Sequence, residues 1–145
     1  MRFLSAALFT GTLVVGLHAQ AARPASHAVR SPDGGLVAEV APRGSGQALQ
    51  VGGRLLYPRT GSVRLVSPPV WSPDGRGIAV IEEGLGGTLL LVVVPRAGAR
   101  PFVWPLPELG DGALLRPTWI DARRISIGPS MLAPVVIVSW IETTY

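Results

Sequence analysis

A chain of 145 residues with a formal net charge of +4 is one domain by length and carries no strong charge imbalance. It has no cysteine, which excludes disulfides, thiolate metal sites and cysteine nucleophiles. All 13 basic residues are arginine, placed singly apart from Arg123-Arg124. Nucleic-acid binding needs a clustered basic stripe, so no nucleic-acid partner is expected.

The first element in chain order reads as an address. Arg2 supplies a short positive region, residues 3–17 are apolar, and Ala19-Gln20-Ala21 presents small residues where a signal peptidase reads them. The rival reading is an uncleaved membrane anchor. A spanning helix needs roughly 20 apolar residues, and this run is shorter and holds Gly11 and Gly16. The expectation is a signal peptide over 1–21, a β-repeat domain over 22–145, and a periplasmic or secreted protein. The longest apolar runs downstream, 88–94 and 135–141, have strand length, so no membrane span is expected after cleavage.

From there on, Pro and Gly punctuate short apolar runs, and no run keeps a 3.6-residue period for three turns. A first repeat starts at Ser31-Pro32-Asp33-Gly34, with strands expected at 36–41, 48–51 and 54–57 and a return through 62–67. A second takes 69–72 as its entering strand, then 77–82, 88–95 and 100–104, with turns at Pro73-Asp74-Gly75, Gly84 to Gly87 and Arg96-Ala97-Gly98. A third, worn copy begins at Pro117-Thr118-Trp119 and retains Asp121, Arg124 and Ile125. Its last strand is expected at 135–141.

The copies Ser31-Pro32-Asp33-Gly34 and Ser72-Pro73-Asp74-Gly75 are identical and stand 41 residues apart, a period that suits one four-stranded propeller blade. Each residue fits a type I turn: Ser at the first corner, Pro with its preset φ, Asp, then Gly. The phrase Pro69-Val70-Trp71-Ser72-Pro73-Asp74-Gly75-Arg76-Gly77-Ile78-Ala79-Val80 resembles the repeat of the WD40-like PD40 family, found in TolB-type β-propellers. Repeat one matches in Ser-Pro-Asp-Gly, with Arg30 where Trp would stand, and repeat three matches in Trp119 and the strand after it. The resemblance implies a ring of blades used as a binding platform, often in the bacterial periplasm. The fold class expected is all-β, with about three four-stranded antiparallel propeller-like blades; a β-sandwich is the alternative. Two such chains could close a six-bladed ring as a homodimer.

Candidate chemistry is sparse. His27 is the one histidine after the signal, and no Gly-x-Ser-x-Gly elbow accompanies it. Asp33, Asp74 and Asp121 recur at matching positions, and each is expected to cap its own turn rather than join a metal site. The neighbours Glu82 and Glu83 point to opposite faces of a strand and so cannot share a substrate. Trp71 and Trp119 occupy equivalent repeat positions and are expected in the core. Trp140 is the last of the four tryptophans. Trp104, before a loop rich in Pro and Gly, is the candidate for an exposed binding contact. The expectation is a non-enzymatic module for protein or peptide binding, without cofactor or metal. A small carbohydrate-binding or hydrolytic β-domain is the alternative.

Overall fold

The structure is a computed structural model that describes residues 27–106, 116–128 and 136–139. The expected signal peptide, the loop 107–112 and Trp140 lie outside the described residues. Three antiparallel sheets follow one another along the chain. The first is the meander β1 (His27–Arg30), β2 (Val37–Arg43), β3 (Gly46–Val51) and β4 (Arg54–Tyr57). The second contains β5 (Arg64–Leu65), β6 (Val70–Trp71), β7 (Gly77–Glu83), β8 (Leu89–Pro95) and β9 (Phe102–Pro105). The third is β10 (Arg116–Trp119), β11 (Arg124–Gly128) and β12 (Val136–Ser139). No helix among the described residues is long and apolar enough to cross a membrane.

Strand membership corrects the sequence reading in two places. The run 62–67 is expected to complete the first repeat; Val63 does bridge Gln47 of β3 there, but Arg64–Leu65 pairs with Glu83 and Glu82 of β7 in the second sheet. The fourth strand of the first sheet is β1, upstream of the Ser-Pro-Asp-Gly motif, with Val29 opposite Ala38. The strand counts are therefore four, five and three among the described residues, not four in each sheet.

The extra strand of the second sheet has a covalent cause. β5 and β6 lie in tandem along the same edge of β7, separated by Val66-Ser67-Pro68-Pro69. Proline has no N–H to give to a ladder, so the edge strand breaks there. Ser67 repairs the gap: its hydroxyl accepts the Ile81 N–H at 2.8 Å, while the Ile81 carbonyl accepts the Val66 N–H at 2.8 Å. No buried side-chain polar atom among the described residues lacks a partner.

The sheets stack face to face, with the second in the middle. Ile78, Val80, Val92 and Val94 pack with Ala38, Val40, Leu49, Val51 and Leu56 of the first sheet. Their neighbours Ala79, Ile81, Leu91 and Val93 point the other way and pack with Trp119, Ile125 and Ile127 of the third. Alternation along a strand thus fills two cores from one apolar run. Close packing also explains Gly46, since a Cβ there would stand 2.7 Å from the Val63 carbonyl oxygen, where the chain crosses between sheets.

Candidate interaction surface

The two Ser-Pro-Asp-Gly turns adopt one geometry. In each, the glycine N–H closes the turn onto the serine carbonyl, at 2.8 Å for Gly34 and 2.9 Å for Gly75. Both glycines have positive φ, +75° and +70°, which a residue with a Cβ resists. The serine hydroxyl donates to its own aspartate, Ser31 to Asp33 and Ser72 to Asp74, and accepts the N–H of the residue that resumes the ladder, Leu36 at 3.0 Å or Gly77 at 2.9 Å. Pro32 and Pro73, both exposed, occupy the second corner.

The aspartates serve these turns. The Ser31 hydroxyl first, then the Gly35 N–H, hold Asp33 at about 2; desolvation opposes them and Arg96 adds to them. For Asp74 the largest influence, burial, acts upward, yet the Ser72 hydroxyl and the Arg76 N–H bring the net shift down. Asp121 is lowered by the Arg123 N–H and the Arg124 side chain, in a shorter turn where Ile120 N–H meets the Arg124 carbonyl at 2.8 Å. Among the described residues no three acidic or histidine side chains converge as a metal site.

Tryptophan ties successive sheets together. The Trp71 indole N–H donates to the Val29 carbonyl of β1 at 2.9 Å, and the Trp119 indole donates to the Val70 carbonyl of β6 at 3.0 Å. Val29 and Val70 each stand two residues before a motif serine, so the contact repeats position for position. Both rings are buried, at 7% and 8% exposure. Arg30, at the equivalent place in the first sheet, bonds instead to the Gly34 carbonyl of its own turn at 3.0 Å.

The remaining candidates separate. His27 is exposed at the start of β1. Glu82 accepts the Tyr57 hydroxyl across the first and second sheets, and Glu83 pairs with Arg64 at 3.2 Å. Burial, with Glu82 beside it, pushes the Tyr57 phenol up, so it acts here as a donor rather than a proton source.

Trp104 lies on β9, the last strand of the second sheet, and is 44% exposed. Its ring stacks on Phe102 with centroids 5.9 Å apart and planes 21° from parallel. Phe102 also packs on the core shared with the third sheet, so it braces the exposed ring from behind. Val103, on the other face, is 46% exposed, and Leu85 at the tip of the β7–β8 loop is 99% exposed. Sequence reasoning singled out Trp104 but passed over Val103, Phe102 and Leu85. A lone leucine between Gly84 and Gly86 was the available signal, because a turn has no core to receive it. Compared with models of protein families, with curated proteins and with solved structures, the chain matches none.

Proposed function

We propose that this chain is an exported, non-enzymatic β-propeller-like module of the PD40 type, with three blades formed by the three sheets, that binds a protein or peptide in the periplasm or at the cell surface. The architecture is supported by two repeated devices, the Ser-Pro-Asp-Gly turn and the indole bond from each later blade to the strand that leads into the motif turn of the one before. Binding is carried by one observation: β9 presents Val103 and Trp104 to solvent on a strand braced by Phe102. Exposed aromatic and apolar side chains held on a rigid element suit recognition of a partner surface. Asp33, Asp74 and Asp121, in contrast, are used within turns, and Tyr57 with Glu82 in a tie between sheets.

Wild type and Trp104→Ala should be used as baits in periplasmic extract, with a glycan array run on both. The expected result is a protein captured by wild type, lost with Trp104→Ala, and no selective glycan. Selective sugar binding without a captured protein would replace this reading with the carbohydrate-binding one. The proposal extends to assembly, in which two chains close a six-bladed ring about a two-fold axis. Light scattering after size exclusion tests that part, a concentration-independent monomer removing it.

A further inference from the structure

The outer edge of β9 has an unusual complement of main-chain groups. The Leu106 N–H donates to the Leu89 carbonyl at 2.9 Å, so residue 106 faces β8. In an antiparallel ladder successive residues turn their main-chain groups alternately toward and away from the neighbouring strand. The register from Leu90 opposite Pro105 to Val93 opposite Phe102 is unbroken. Phe102 and Trp104 therefore turn their N–H groups toward β8. Val103 and Pro105 turn their main chain outward, as does Pro101 at the next alternate position before the strand. Among the described residues no strand pairs with this outer edge. Because proline has no N–H, the outward row presents carbonyls at 101, 103 and 105 but an N–H only at Val103.

We propose that Pro101 and Pro105 close the outer edge of β9 to strand addition. A strand laid along it would leave its own carbonyls opposite the two prolines without donors, and desolvating an acceptor that gains no partner is costly. The pyrrolidine rings also occupy space that an added backbone would need. The guarded segment, Phe102-Val103-Trp104, is apolar, uncharged and rich in β-forming residues, the kind of sequence that pairs edge to edge when left open. A ligand therefore reaches β9 through its side chains, and a second copy of this chain does not extend the sheet there. This holds whatever the ligand is, so its failure would leave the proposed binding function standing.

The test compares wild type with Pro101→Thr/Pro105→Thr, which places two further N–H groups on the outward row. Pro32→Thr, in an exposed turn, serves as the control for losing a proline. The expected result is loss of the monomer or native-oligomer peak on size exclusion for the double variant alone, with its β signal in circular dichroism retained. A double variant that stays folded and elutes as wild type at every concentration would overturn the proposal. Hydrogen exchange on wild type tests it without any variant: the Val103 amide should exchange rapidly while those of Phe102 and Trp104 are protected. Equal protection at all three would mean that the edge is already paired, which also overturns it.

Discussion

The first and second sheets share a meander, a turn sequence and a hydrogen-bond pattern, and they differ in how much of each is covered. Ile78 to Ile81 in β7 and Leu91 to Val94 in β8 have no solvent exposure. Along the first half of β2 burial alternates: Ala38 and Val40 face the second sheet, while Val37 and Glu39 are half-buried; Pro42 beyond them is exposed. Glu39 stands opposite Gln50 on the outward face, where a charged side chain can keep its water. A continuous apolar run thus marks a sheet covered on both faces, and strict alternation marks one covered on a single face. The period of hydropathy reports a sheet's place in the stack as well as its being a sheet.

Truncation on either side is the strongest way to break this contrast. Ile81→Ala, in the core between the second and third sheets, should cost about 2–5 kcal/mol, as deletions from close-packed interiors do. Leu55→Ala, on the outward face of β4 opposite Gln50, should cost less than half as much. Equal losses in urea denaturation would mean that the first sheet is covered on both faces as well.

A smaller effect separates the residues that precede the two motif turns. Trp71→Phe keeps a ring but takes the indole donor from the Val29 carbonyl and leaves a gap where the larger ring packed, an expected loss of about 1–3 kcal/mol. Arg30→Ala, at the corresponding place in the first sheet, should change stability by no more than about 0.5 kcal/mol. Thermal unfolding of the pair measures the difference. If Arg30→Ala matched Trp71→Phe, the inter-sheet bond would not be what the tryptophan contributes.

The turns themselves sharpen the comparison further. Valine at Gly75 or Gly34 meets a positive φ, and each substitution should cost about 1–3 kcal/mol. Gly75→Val should be the worse of the two, because Arg96 Nη1 and the Pro32 ring each lie 3.8 Å from where its Cβ would sit, while nothing lies within 4 Å at Gly34. Arg76→Ala should fall below both. Coincident denaturant midpoints for Gly75→Val and Arg76→Ala would remove the turn assignment.

The smallest effect is electrostatic. Asp33 titrates at about 2 when folded, against an ordinary 3.8. A depressed carboxyl stabilises the fold above its unfolded value, and that contribution fades as pH falls from about 4 toward 2. Ser31→Ala removes the largest cause, so the Asp33 titration followed by NMR should move up toward the ordinary value, and the fall in stability between about pH 4 and 2 should shrink. An unmoved titration would assign the shift to Gly35 and Arg96 instead.

Much of the second sheet is legible in the sequence. The runs 77–82 and 88–95 match β7 and β8 within a residue or two, because each is an apolar stretch bounded by Gly and Pro. The turn chemistry of residues 31–34 and 72–75 is local and is read from four residues at a time. Pairing partners are not local. Nothing within 62–67 says that Leu65 will meet Glu82 rather than the first sheet, since the choice depends on Gly46 letting Val63 approach and on Gln47 Oε1 accepting the Leu65 N–H at 2.8 Å. β1 escapes for a related reason: His27–Arg30 is short and polar at both ends, and only its ladder with β2 makes it a strand. At the candidate surface, Trp104 draws attention by its type and its neighbours, whereas the exposure of Val103 depends on where β9 sits in the sheet.

The indole bonds have a direction. In both, the donor belongs to the later sheet and the acceptor is a main-chain carbonyl of the earlier one. A chain made from its N-terminus presents Val29 before Trp71 exists, and Val70 before Trp119. Each sheet, built mostly by pairing of strands adjacent in sequence, can fold on emerging and then serve as the template on which the next one registers. Synthesis and docking thus run the same way, so no partly made chain has to hold a place open for a residue still to come.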